Sequence, residues 1–101
     1  DAGFAETTPT YRGGEEALQN FIRANLVVPA EALKAGLSGT LYVQFTVEAN
    51  GCLTNIKVLR GPGYGLDEEA IRVLKLMRGQ WMPGQRGGKT VAMQLTIPVH
   101  Y

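Results

Sequence analysis

The chain has 101 residues, of which 45% are hydrophobic and 19% are charged, and its formal net charge is +1. This length suits a single domain with one modest core. The basic and acidic residues are spread along the chain, so the clustered basic face typical of nucleic-acid binding is not predicted. No apolar run approaches the roughly 18 residues that cross a membrane, and the single cysteine, Cys52, excludes an internal disulfide.

The first part of the chain predicts an arm followed by two helical segments. Residues 1–14 are polar and rich in turn-forming residues, and we expect a partly ordered N-terminal arm there, followed by one domain over 15–101. Apolar residues at helical spacing predict a helix over Glu15–Asn25, with acidic residues at the positive end of its dipole. Pro29 opens a second, short helical segment, and Gly36 closes it.

The pattern then changes to that of a β-hairpin. Apolar and polar residues alternate over Leu41–Val47, which predicts a half-buried strand. The dipeptide Asn50-Gly51 predicts a type I′ turn, because both central residues of that turn need positive φ. A second strand follows over Leu53–Arg60. Its first residue is out of phase with the later apolar residues, which predicts a β-bulge near Thr54-Asn55.

A third helix and a third strand complete the predicted elements. Leu66–Arg78 is amphipathic, and its expected inward-facing residues are Leu66, Ala70, Val73, Leu74 and Met77. A Gly-rich loop around Trp81 then leads to a strand in which apolar residues alternate with other residues from Val91 to Val99. Trp81 and Tyr101 are expected to cap the core.

Charge along the strands predicts their order in the sheet. Leu41–Val47 carries no charge, as a central strand should, whereas the second strand carries Lys57 and Arg60, which are typical of an edge. The third helix is about 20 Å long, so it returns the chain to the end of the sheet at which the second strand began. The sequence therefore predicts an α+β fold with a three-stranded antiparallel sheet, in the order 2-1-3, and two main helices packed on one face.

This order makes the last strand an edge of the sheet. No Asp, Glu, Lys or Arg occurs from Thr90 to His100, and an uncharged edge with free N–H and C=O groups pairs readily with another strand. Three occupants fit the edge: a second copy of the chain in a homodimer, the N-terminal arm, or a partner peptide added as a further strand. The residues by themselves leave these alternatives open.

No set of residues predicts catalysis. The turn Gly61–Gly65 joins a strand to a helix, but Leu66 stands where a dinucleotide-binding turn needs its third glycine. The acids Asp67–Glu69 suit the helix dipole and do not share a helical face. His100 is the only histidine, and Cys52 is expected to be a small, partly buried strand residue. We therefore expect no enzyme activity, no cofactor and no metal site.

A series of short motifs occurs along the chain in a particular order and spacing. They are Gly13-Gly14-Glu15, Pro29-Ala30-Glu31-Ala32, Gly39 to Val47, Asn50-Gly51, Ile56 to Arg60, Leu66 to Ala70, Trp81 to Gly84, Gly88-Lys89 and Ile97 to Tyr101. Together they resemble the TonB C-terminal domain family over most of the chain. The sequence differs from the usual family pattern at Arg78-Gly79-Gln80, at Tyr101, and at Met93-Gln94-Leu95, where related sequences are often basic.

The resemblance implies a periplasmic domain of an energy transducer, anchored to the inner membrane by a segment outside this sequence and driven there by ExbB and ExbD. It also implies that the last strand binds the TonB box, a short extended segment of an outer-membrane transporter for siderophores, vitamins or glycans. The expected partner-binding residues are Thr90, Val91, Ala92, Met93, Gln94, Leu95 and Thr96. Two alternatives are a sensor domain attached to a membrane-anchored regulatory peptidase and a self-associating module.

Overall fold

The structure is a computed structural model that describes residues 6–77 and 79–101. Residues 1–5 of the expected arm and Arg78, the expected last residue of the third helix, lie outside the described residues. The elements in chain order are β1 (Glu6–Thr7), β2 (Thr10–Tyr11), α1 (Gly14–Asn25), α2 (Ala30–Lys34), β3 (Thr40–Val47), β4 (Leu53–Arg60), α3 (Leu66–Lys75), β5 (Trp81–Met82), β6 (Gly84–Arg86), β7 (Lys89–Val91) and β8 (Met93–His100). Within the described ranges, no helix is long and apolar enough to cross a membrane.

The main sheet has three antiparallel strands in the order β4-β3-β8. This confirms the predicted α+β fold and the predicted 2-1-3 order, with the uncharged strand β3 in the centre. The β3–β8 register runs without a shift from Thr40 opposite His100 to Val47 opposite Met93. The last strand of the main sheet is therefore an edge strand, as the charge pattern predicts.

The core lies between one face of this sheet and the helices. Every second residue of β3 is fully buried, and so is the inward face of α3, because period-2 and period-3.6 patterns bring these side chains to a single side. The fully buried residues of β3 and α3 are Leu41, Val43, Phe45, Val47, Leu66, Ala70 and Leu74. Helix α1 contributes Leu18 and Ile22, which are 1% and 2% exposed.

The β3–β4 hairpin is present, but its turn is not the predicted type I′. The N–H of Gly51 donates to the Glu48 carbonyl, and the Glu48 N–H donates to the Cys52 carbonyl. Of the two central residues, only Gly51 has positive φ, at 86°. This is a three-residue loop made of a type I turn and a left-handed glycine, and the Asn50 side chain accepts a hydrogen bond from the Cys52 N–H.

The expected bulge in β4 is confirmed. The register of β4 against β3 shifts between Gln44 opposite Lys57 and Thr46 opposite Thr54. Asn55, inside this interval, has a φ of 54°, a conformation that asparagine tolerates better than most residues. A second shift lies nearer the end of the strand, and the sequence pattern does not predict it.

Short strands connect the arm to the Gly-rich loop. β1 pairs with β6, β6 pairs with β7, and β2 pairs with β5. Residues 6–11 of the expected arm thus pair with the segment around Trp81 and not with β8. The last strand is also divided, because Ala92 lies between β7 and β8.

Helix α3 is joined to the end of α1 by a network around Glu69. The Glu69 carboxylate accepts hydrogen bonds from Arg72, at 2.6 Å, and from the Val27 N–H, also at 2.6 Å. Arg72 in turn donates to the Asn25 carbonyl. The hydrogen bond from Arg72 is the main cause that lowers the pKa of the Glu69 carboxyl below its ordinary value. The α1–α2 connection is therefore fixed to α3 by hydrogen bonds.

Candidate partner-strand site

The residues expected to bind a partner strand fall into two strands. Thr90 and Val91 belong to β7 and pair with Gln85 and Gly84 of β6. Ala92 belongs to neither strand, and Met93–Thr96 form the first half of β8. Among the described residues, β7 and β8 each have a strand on only one side. The sequence identifies the open edge, and the structure divides it at Ala92.

The hydrogen bonds of Gly39 and Tyr101 establish which backbone groups of β8 face outward. These two residues donate to each other's carbonyls, at 3.1 and 2.9 Å. In an antiparallel pair, bonded and non-bonded positions alternate, so the odd-numbered residues of β8 bond to β3. The N–H and C=O groups of Gln94 and Thr96 therefore face away from β3, toward the open side of the sheet.

The open edge ends at Pro98. Pro98 lies at an outward-facing position, where a residue without an N–H group takes no bond from the ladder. Its carbonyl accepts a hydrogen bond from the Gln19 side chain of α1, at 3.3 Å. Both facts agree with the orientation derived from Gly39 and Tyr101. Helix α1 thus contacts the edge at Pro98, and Gln94 and Thr96 remain outside this contact.

A groove lies beside the edge, between β8 and the start of α1. It has a volume of about 280 Å³, and its walls include Pro9, Tyr11, Leu18, Trp81, Leu95 and Ile97. Aromatic rings pack behind it, with the Tyr11 and Trp81 centroids 5.6 Å apart and the Phe45 and Trp81 centroids 5.1 Å apart, both edge-to-face. Such packing holds the walls of the groove in one arrangement.

The groove is weakly charged. Glu15, which is exposed, is the only charged residue among those that line it. Burial raises the pKa of the Tyr11 phenol, so this hydroxyl stays neutral at physiological pH. The indole Nε1–H of Trp81 is buried and has no hydrogen-bond acceptor in the described structure. The site can thus supply apolar contact and uncharged hydrogen-bond donors.

The residues considered for catalysis either have structural roles or lie outside the groove. Asp67 accepts a hydrogen bond from the Gly63 N–H, which stabilises the connecting turn. His100 is exposed and bonds to the Thr40 hydroxyl at 2.9 Å. The expectation for Cys52 is wrong, because Cys52 is an exposed free thiol that lies just before β4. In the described part of the chain, no group of three or more His, Cys, Asp or Glu residues could hold a metal ion.

Sequence reasoning did not find the groove or Gln19. Leu18 has the signal of a core residue, and Gln19 is simply the polar residue that follows it. Tyr11 falls in the predicted arm and carries no periodic signal. Trp81 is predicted from the sequence only to cap the core. The groove exists because tertiary packing brings these residues to β8.

Comparison with known proteins identifies the family. The family described as Gram-negative bacterial TonB protein C-terminal matches residues 24–101. The chain belongs to the TonB C-terminal domain family. A comparison with curated protein sequences found no match.

Two solution structures of the TonB C-terminal domain from Helicobacter pylori have a similar fold. The shorter is 26% identical, with a TM-score of 0.66, and the match covers 85% of this chain and 89% of that chain. The longer is 27% identical, with a TM-score of 0.63, and the match covers 83% of this chain and 75% of that chain. TonB C-terminal domains are periplasmic interaction domains that bind outer-membrane transporters. The open edge of β8 is therefore a candidate protein-binding surface.

Proposed function

We propose that this domain binds the TonB box of an outer-membrane transporter by strand addition to the open edge of β8. In this role it belongs to an energy transducer that is anchored in the inner membrane and driven by ExbB and ExbD. The transporter segment becomes the fourth strand of the sheet β4-β3-β8, and force applied to the domain passes to the transporter through the backbone hydrogen bonds of that strand.

The observation that carries the proposal is the orientation of β8. Its edge has no charged residue from Met93 to His100, and the outward N–H and C=O groups of Gln94 and Thr96 have no strand beside them in the described structure. A lone edge strand presents these groups to an extended peptide, which gains affinity from the backbone and specificity from its side chains. The described part of the arm does not compete directly, since β1 and β2 pair with β6 and β5.

A nuclear magnetic resonance titration tests the proposal. The ¹⁵N-labelled domain is titrated with synthetic TonB-box peptides from transporters of the same genome. We expect the largest amide shifts at Gln94 and Thr96, with smaller shifts at Thr90 and Val91, and slowed hydrogen exchange at the two outward amides. The same peptide with alternate residues N-methylated is the control, because it keeps the side chains and loses backbone donors.

Two results would contradict strand addition at β8. One is binding with shifts confined to β4 or to helix α2, since neither borders the β8 edge. The other is no binding of any TonB-box peptide together with a dimer at micromolar concentration, which would assign the edge to self-pairing. Sedimentation velocity at two protein concentrations measures whether the domain is a dimer and so distinguishes self-pairing from the first result.

A further inference from the structure

The groove beside β8 adds a second recognition element to the open edge. It borders the strand at Leu95–Pro98, and its opposite walls come from α1 and the segment around Tyr11. Its volume of about 280 Å³ lies just below the range of small-molecule pockets. The groove is therefore large enough for a side chain and too small for a folded element.

Strand geometry decides which side chains of an added strand reach this groove. Residues directly opposite each other on neighbouring strands point to the same face of the sheet. Leu95 and Ile97 point toward the helices, with Ile97 6% exposed, whereas Gln94 and Thr96 point to solvent. A residue added opposite Leu95 thus points into the groove, and its two neighbours point to solvent.

We propose that the groove is a specificity pocket that takes one branched apolar side chain of the added strand, with polar residues on both sides of it. This inference rests on the strand addition proposed above. Because Pro98 has no N–H group and its carbonyl already accepts a hydrogen bond from Gln19, we expect the added strand to pair before Pro98, which limits the register of the partner. The apolar side chain then lies opposite Leu95, against Leu18 and Tyr11.

The Trp81 indole provides a spectroscopic reporter for the groove. Trp81 is 5% exposed and lines the groove, yet its Nε1–H has no acceptor in the described structure. Trp81 is also the only tryptophan in the chain, so its fluorescence and its single indole resonance report on the groove.

Blocked heptapeptides of threonine with one variable central residue test the pocket. The central residue is serine, valine or leucine, and binding is followed by Trp81 emission and by the indole N–H resonance. We expect the valine and leucine peptides to bind more tightly than the serine peptide and to shift the indole signal. The Leu95→Ala substitution enlarges the pocket. The affinity of the leucine peptide relative to that of the valine peptide should therefore rise about fourfold, which corresponds to the burial of one extra CH₂ group.

Leu59→Ala is the matched control, because it removes the same atoms from strand β4, at the other edge of the sheet, and Leu59 does not line the groove. Its affinity ratio should equal that of the unaltered protein, and thermal unfolding checks that both variants are folded. An unchanged ratio in Leu95→Ala, or equal binding of the serine and valine peptides, would overturn the pocket. If TonB-box peptides still shift the amides of Gln94 and Thr96, strand addition stands while the pocket is rejected. If they do not, the proposed function itself fails.

Discussion

A proline at position 94 removes one outward N–H group from the edge without breaking the main sheet. Gln94 lies opposite Thr46 at a position that does not bond to β3. Pro98 already occupies an equivalent position in the same strand. We therefore expect Gln94→Pro to change the free energy of unfolding by less than about 1 kcal/mol, which for a domain of this size corresponds to a few degrees in Tm.

The effect on partner binding is much larger than the effect on stability. Between Met93 and Pro98, only Gln94 and Thr96 have both an N–H and a C=O group that face outward. Loss of one N–H leaves a carbonyl of the added strand facing a proline ring, and an unsatisfied group of this kind costs about 1–3 kcal/mol. The affinity for a TonB-box peptide should therefore fall by about 5- to 150-fold.

Isothermal titration calorimetry with one peptide measures this loss, and two variants provide the comparison. Gln94→Ala keeps the N–H and should bind within about twofold of the unaltered protein, as for other exposed substitutions. Leu95→Pro removes an N–H that faces β3 and should lower stability by about 1–3 kcal/mol. Equal affinities of Gln94→Pro and Gln94→Ala would show that the Gln94 N–H does not contact the partner, and the orientation argument would be refuted.

Three further predictions concern the fold. Phe45→Ala should lower the free energy of unfolding by about 3–5 kcal/mol in urea titrations, since Phe45 is fully buried. Gly51→Ala should destabilise more than Gly63→Ala, because both have positive φ but only a Cβ at Gly51 meets a backbone carbonyl, at 2.9 Å; equal losses would contradict this. The pKa of Glu69 is lowered in the folded protein, chiefly by Arg72. The carboxylate therefore stabilises the folded state fully above its unfolded pKa, and this stabilisation is lost as the pH falls through its folded pKa. Urea titrations should show that Glu69→Gln is less stable than the unaltered protein at pH 7 and that its stability depends less on acid pH.

The strand order could be predicted because it depends on charge, which is visible in the sequence. Lys57 and Arg60 occur in one strand, and the strand before it has none. The turn type could not be predicted in the same way. Asn50-Gly51 suits a two-residue loop and also the end of a three-residue loop, and the choice depends on the register of Val47 opposite Leu53. The register is a property of the whole sheet.

The short strands and the groove could not be predicted from the sequence because they have no periodic signal. A strand of two residues, such as β2, is defined by its partner and not by its own pattern. Tyr11 and Trp81 lie far apart in the sequence, and they meet because β2 pairs with β5. Tertiary packing therefore determines which residues surround the edge, while local pattern determines only that the edge exists.

The edge of β8 is restricted in a way that favours a peptide over another copy of the same edge. Pro98 lacks an N–H group, and Gln19 already donates to its carbonyl, so few complete hydrogen-bonding positions remain. A second copy of this edge and a peptide would both be limited to these positions. In the proposed complex, a flexible peptide also places a side chain in the groove beside Leu95. The absence of charge along this strand is therefore consistent with an edge that can pair with a short extended segment, while Pro98 limits the length of the pairing.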